Sequence, residues 1–173
     1  MIQELFYTIF KTTAGWAGIL GSTAGLLCTA LPQPSEREAY RLLGNGLSQA
    51  TMSPRPFEDL IGRFQAYFSG QRVDFPDKLD LSGATPFQGE VWQAARHIPY
   101  GQTRTYAWLA AQVGNPGAVR AVGQALGRNP LPIIIPCHRV LASDGGLGGF
   151  SGGLEMKRLL LTLEKVLFAN DVI

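Results

Sequence analysis

The chain has 173 residues, 46% of them apolar, and a formal charge of +2. That length suits one medium domain or two small ones, with a core that needs no covalent staples. Two cysteines exclude a disulfide framework, and the composition excludes disordered, collagen-like and coiled-coil chains.

Residues 12–32 carry no charge, but they are rich in Gly and Thr. They read as buried strands separated by Gly turns, not as a membrane span. The start, MIQELF, has an acid at Glu4 where a secretory signal wants basic residues. The chain is therefore expected neither to enter a membrane nor to be exported. Leu5–Thr13, Gly15–Ser22 and Leu26–Leu31 are predicted strands. Pro32 to Ser35 ends the sheet, and Ser35 with Glu38 has capping-box spacing, which predicts a helix over Glu36–Leu43. A second helix is predicted at Phe57–Tyr67. Its apolar face holds Phe57, Leu60, Ile61, Phe64 and Phe68, and Gly70 ends it. Val73–Gly83 is extended and acidic, with Asp74, Asp77 and Asp80, and reads as a linker.

Thr85-Pro86-Phe87 then starts a helix that stops at His97-Ile98-Pro99. Thr105–Val113 and Gly117–Leu126 read as two further short helices around a Gly114-Asn115-Pro116 turn. Their outline fits a helix-turn-helix, and it also fits an αα-corner that binds nothing. Charge favours the former. From Val91 to Ser143 there is no Asp or Glu, while Arg96, Arg104, Arg120, Arg128 and Arg139 all fall there. An acid-free, Arg-only stretch around short helices is an electrostatic footprint for phosphates.

Leu131–Leu141 reads LPIIIPCHRVL. Ile133–Ile135 is predicted as a buried strand or packed segment, with Cys137 and His138 at its mouth. A thiol near pKa 8.5 is mostly protonated at neutral pH, and an imidazole or an Arg nearby raises its thiolate fraction. His138 and Arg139 are candidates. Glu164, within the helical pattern Met156, Leu159, Leu160 and Leu163, could orient the imidazole. An inert buried cysteine stands as the alternative. Cys28, His97, Cys137 and His138 lack zinc-site spacing. Ser143–Gly153 holds six glycines and reads as one wall of a pocket or as a surface loop. It lacks the Gly-Lys-Ser/Thr of a phosphate loop, since Lys157 comes too late.

Ile135-Pro136-Cys137-His138-Arg139-Val140 resembles the active-site signature of the O6-alkylguanine-DNA alkyltransferases, the methylated-DNA–protein-cysteine methyltransferases. Phe87-Gln88, Val91-Trp92, the run from Ile98 to Thr103, Tyr106, Leu109-Ala110, the run from Arg120 to Gly123, Asn129-Pro130 and the Gly148–Gly153 loop follow in the family's order. The resemblance is continuous from about Leu79 to Glu164 and loose before that. It implies an α+β chain: a small N-terminal antiparallel sheet with helices (1–80, ribonuclease H-like, with linker), then a mainly helical domain (81–173) holding the helix-turn-helix and the cysteine. It implies a monomer that acts on duplex DNA from the minor groove, flips the damaged base and needs no metal or cofactor. The reaction implied is irreversible, single-turnover transfer of an alkyl group from guanine O6, and from thymine O4, to Cys137.

By the same resemblance His138 and Glu164 activate the thiol through a water, Tyr106 protonates the leaving base, and Asn129 bonds near the active-site turn. Arg120 fills the vacated stack. Arg128, Arg104, Ala121 and Gly123 meet DNA, and Phe150, Ser151 and Lys157 belong to the base pocket. Phe150 departs from the Tyr of some members. The N-terminal zinc ligands of some members are not matched. The implied location is cytoplasmic, or nuclear in a eukaryote. A recognition module that flips bases without transfer, and a cysteine hydrolase built on Cys137, are the competing readings.

Overall fold

A computed structural model describes residues 3–166. It divides into two compact units that meet at the Gly83–Ala84 bond.

The first unit is built on β1 (Leu5–Thr12), β2 (Gly15–Ser22) and β3 (Gly25–Gln33), an antiparallel meander. Gly15 closes the first hairpin at φ +130, where a Cβ would lie 2.6 Å from the Gln33 carbonyl, so only glycine fits. Alternation along β1 sends Leu5, Tyr7 and Ile9 into a cluster with Ala39 and Leu43 around α1 (Glu36–Leu42). Phe10, on the other face, meets Phe64 of α2 (Glu58–Phe68) with ring centroids 5.9 Å apart. Ser35 caps α1 by accepting from the Glu38 amide at 3.2 Å, as its spacing predicts. Tyr67, fully buried, belongs to the inward face of α2, whereas Ile61 is only half-buried.

Two expectations are corrected here. The sheet is mixed: a short strand β4 (Ala50–Met52) pairs parallel to β1, giving the order β3-β2-β1-β4. Its three residues, Ala-Thr-Met, are too few to show an alternating pattern. The acidic segment after α2 is also no loose linker. Arg63 forks onto both oxygens of Asp77 at 2.8 and 2.6 Å and donates to the Asp74 carbonyl at 3.1 Å. Backbone bonds Leu26 N to Lys78 O and Asp80 N to Leu26 O bind the segment along β3.

The second unit starts with α3 (Pro86–Arg96). Thr85 and Gln88 form a reciprocal capping box, with Pro86 at the first turn. A two-residue strand, β5 (Arg104–Thr105), leads into α4 (Tyr106–Gln112). Gly114 then turns the chain at φ +77 into α5 (Val119–Gly127). The buried Trp92 indole donates to the Ala125 carbonyl at 2.8 Å and locks α3 to α5. β6 (Val140–Leu141) pairs parallel to β5, and α6 (Leu154–Leu163) closes the described chain.

The apolar run Ile133–Ile135 is buried but is not a ladder strand. Ile133 sits at φ +77, and the Ile135 amide bonds back to Leu131 O at 2.8 Å. Pro130, Pro132 and Pro136 each lack a backbone donor, so a continuous ladder cannot form across them. On α6 the buried face is Lys157, Leu160, Leu161 and then Glu164, while Leu159 is exposed. The face is thus offset from the apolar pattern in the sequence, because two charged side chains point inward.

Candidate active site

The buried turn delivers Cys137 as the first residue of a 3-10 turn, Cys137–Arg139, with its thiol almost covered. Asn129 fixes that turn from three sides. Its Oδ1 accepts from Leu131 N at 2.9 Å, and its Nδ2 donates to Ile135 O at 2.8 Å and to Cys137 Sγ at 3.1 Å. A donor aimed at sulfur favours thiolate over thiol. Burial acts the other way and dominates, so the thiol rests above its ordinary pKa, with Asn129 and the Lys157 charge pulling it down.

Behind the cysteine lies a closed network of ionisable groups. His138 is fully buried and bonds through Nε2 to Glu164 Oε1 at 2.8 Å. Arg139 donates from Nε to Glu164 Oε2 and from Nη2 to Oε1, both at 2.9 Å, and from Nη1 to the Ile98 carbonyl at 2.7 Å. The Gly101 amide adds a fourth donor to Glu164 at 3.1 Å. Burial alone would raise the Glu164 pKa, but the bonds and charges of His138 and Arg139 hold it well below the usual carboxylate range. Burial depresses the His138 pKa, partly offset by Glu164. The pair is therefore a carboxylate facing a neutral imidazole. An ionised carboxylate only accepts, so Nε2 carries the ring proton and Nδ1 carries the lone pair.

Its place in the sequence makes Arg139 a candidate activator of the thiol, but the structure turns it elsewhere. Its guanidinium is committed to Glu164 and Ile98. Gly101, and Tyr100 whose hydroxyl donates to Leu163 O at 3.1 Å, complete the support of Glu164. The sequence gives neither a partner role beside Glu164, since each lies far from it along the chain; the only mark on them there is their place in the Ile98–Thr103 run that carries the resemblance.

In front of the cysteine is a cavity of about 390 Å³. Cys137 lies on its wall with Tyr106, Val119, Gly123, Phe150 and Ser151. The Tyr106 hydroxyl donates to Gly149 O at 3.3 Å, and its pKa is raised by burial and then by the Cys137 charge. Lys157 does not line this space. It is fully buried behind the wall and donates to three backbone carbonyls. Among the described residues no group of three or more His, Cys, Asp or Glu side chains could hold a metal ion, and no helix is long and apolar enough to cross a membrane.

Residues 86–166 match the family model for the DNA-binding domain of 6-O-methylguanine DNA methyltransferase. A methylated-DNA–protein-cysteine methyltransferase of Mycolicibacterium paratuberculosis is 49% identical over 115 residues, covering 66% of this chain and 69% of the relative. The chain belongs to this methyltransferase family.

The constitutive methyltransferase of Bacillus subtilis is 51% identical over 105 residues, covering 60% of this chain and 63% of that one. Mycobacterium tuberculosis OGT in complex with DNA superposes with a TM-score of 0.79 at 40% identity, covering 92% of each chain. The Pyrococcus kodakaraensis O6-methylguanine-DNA methyltransferase gives 0.69 at 28% identity, covering 94% of this chain and 99% of that one. These likenesses establish the α+β fold of the methyltransferase. On its outer face, Arg120 and Ala121 are exposed in the first turn of α5, and Arg128 is exposed at its end. Gly123 lines the cavity, and a Cβ there would meet nothing within 4 Å. Arg104 is held locally by Thr103 O, Gln102 Oε1 and the Trp108 ring.

Proposed function

We propose that this methyltransferase repairs alkylated duplex DNA by moving the alkyl group from guanine O6 to Sγ of its own Cys137. The observation that carries this reading is one thiol on the wall of a base-sized cavity, backed by a buried imidazole–carboxylate pair. The alkyl carbon is a soft electrophile, and the thiolate is the soft nucleophile for it. The thiol proton leaves through a water to His138 Nδ1, the ring nitrogen that carries the lone pair when Nε2 is committed to Glu164. Glu164 stabilises the imidazolium that forms. Asn129 steadies the thiolate through its bond to sulfur.

As the S–C bond forms, the C–O6 bond breaks, and the guanine carries off its electron pair. A guanine anion leaves poorly, so Tyr106 donates its proton to the base. The thioether has no simple chemical route back, so each chain reacts once. Arg120, at the exposed start of α5, fills the stack vacated by the flipped base. Arg128, Arg104 and Ala121 serve the backbone and groove, and Phe150 and Ser151 hold the base. The same reaction extends to thymine O4. The monomer works in the cytoplasm, in keeping with two free cysteines.

Cys137→Ser tests the assignment. The variant should bind a duplex carrying O6-methylguanine as the wild type does and take up no methyl. Methyl uptake by the variant would remove Cys137 from its role.

A further inference from the structure

The chain that delivers Cys137 passes through a strained residue. Among the described residues, Ile133 at φ +77 and Lys165 at φ +61 are the non-glycine residues with positive φ. Lys165 follows the last turn of α6, a place where left-handed backbone is common. Ile133 is different. It is β-branched, and in that region its Cβ crowds the following carbonyl. A turn position with positive φ ordinarily takes Gly, Asn or Asp.

The prolines explain why the bend falls there. Leu131 and Ile135 precede Pro132 and Pro136, which press both toward extended backbone, and the φ of Pro132 is locked by its ring. The reversal that returns the Ile135 amide to Leu131 O at 2.8 Å is left to Ile133 and Ile134. That reversal sets the approach to the nucleophile. Asn129 Nδ2 donates both to Ile135 O at 2.8 Å and to Cys137 Sγ at 3.1 Å, which requires carbonyl and sulfur side by side. The Cys137 amide closes a tight turn onto the same Ile135 O at 2.8 Å, about Pro136 at φ −80 and ψ 62. The side chain of Ile133 is what holds the unfavourable backbone. It is 3% exposed, and Leu131, Ile134 and Ile135 around it are buried too.

We propose that Ile133 is a positioning residue for alkyl transfer: its buried side chain anchors a left-handed bend that sets Cys137 Sγ against Asn129 at the wall of the cavity. The proposal rests on the assignment of Cys137 as nucleophile. Ile133 acts through the turn, and no bond to it forms or breaks.

The test separates the anchor from the bend in the full chain. Ile133→Ala removes the anchor and keeps a Cβ that disfavours the bend. Ile133→Gly removes the anchor as well, but takes positive φ freely. Ile133→Val keeps the branch and most of the anchor. Packing alone ranks Gly below Ala, because Gly leaves the larger cavity. The bend ranks Gly above Ala.

Three rates are followed against pH: methyl uptake from an O6-methylguanine duplex, reaction with free O6-benzylguanine, and alkylation of Cys137 by iodoacetamide. Ile133→Ala should slow both transfers by about 5–30-fold, the loss of the bent population that the left-handed penalty sets. It should also raise the midpoint of the iodoacetamide profile, as the Asn129 donor leaves the sulfur. Ile133→Gly should recover most of the rate and the midpoint, and Ile133→Val should stay close to wild type. Ile134→Ala empties buried volume at a neighbour without positive φ, so it should lose stability and keep the transfer rate. A Gly variant slower than Ala, an Ala variant with wild-type rate or midpoint, or an Ile134→Ala variant as slow as Ile133→Ala would overturn the proposal. Should neither Ala nor Gly fold, NMR of the wild type decides: a strong amide–Hα cross-peak within Ile133 marks positive φ and supports the bend, and a weak one overturns it. A wild type that takes up no methyl would overturn the nucleophile assignment itself, which the other outcomes leave standing.

Discussion

Glu164→Gln separates the two tasks that the proposed mechanism gives the buried network, stability and thiol activation. Glutamine keeps the shape of the side chain but removes the charge that answers Arg139. The carboxylate accepts from His138, from two nitrogens of Arg139 and from the Gly101 amide, all within 3.1 Å and away from water. Removing one partner of such a buried pair costs about 3–5 kcal/mol, because the other charge stays buried without compensation. For a domain of about 100 residues that lowers Tm by roughly 15–30 °C. The pH dependence carries a sign. A carboxylate whose folded pKa is depressed contributes stability above its unfolded value, near 4.3, and loses it as pH falls toward the folded value. Glu164→Gln should therefore lose stability at pH 7 and flatten the acid side of the stability curve. The companion Arg139→Met/Glu164→Leu removes both charges and should recover most of the lost stability. It should still transfer methyl about 10²–10⁴ times more slowly than wild type, since His138 has lost the group that orients it. Urea unfolding from pH 3 to 8 and single-turnover methyl uptake measure the two effects. A Gln variant as stable as wild type, or a double variant that transfers at the wild-type rate, would refute this reasoning.

Further variants test single contacts. Asn129→Ala removes three hydrogen bonds at the active-site turn and should cost about 1–3 kcal/mol of stability, while the midpoint of Cys137 alkylation by iodoacetamide rises; an unchanged midpoint would deny the donor to sulfur any effect. Arg120→Ala should slow repair of duplex DNA far more than reaction with free O6-benzylguanine, because base flipping costs a few kcal/mol only in the duplex; equal losses would reject the stacking role. Gly148→Ala should impair transfer on both substrates, since its Cβ would lie 2.7 Å from the Tyr106 hydroxyl oxygen at a backbone φ of +71. Unchanged rates would mean that Tyr106 needs no fixed position.

Much of this molecule is legible in its sequence where the signal is local. The Ser35–Glu38 and Thr85–Gln88 spacings mark helix starts because a cap is made within three residues. The strands of the meander follow from β-rich runs and Gly turns. The short strand β4 escapes because three residues carry no periodicity, and of the two readings of Ile133–Ile135, buried strand or packed segment, the packed segment is the one found, because apolarity reports burial and not direction of travel. At the site, Cys137 and His138 stand side by side in the chain, and the acid-free arginine stretch marks the α4–α5 region. The rest depends on distant partners. Arg139 reads as an activator of its neighbour, yet its guanidinium is drawn to Glu164, the carboxylate that the fold buries beside it. Lys157, which the resemblance places in the base pocket, is instead buried outside the cavity lining, on the helical face it shares with Leu160, Leu161 and Glu164.

The most direct test of the central claim is intact mass spectrometry of the wild-type protein after incubation with excess duplex carrying one O6-methylguanine, followed by peptide mapping. The account predicts one methyl group per chain, on Cys137, with no further gain as more duplex is added, and an equal amount of guanine restored in the DNA. Duplex that binds without an adduct, or repair that continues beyond one event per chain, would contradict it.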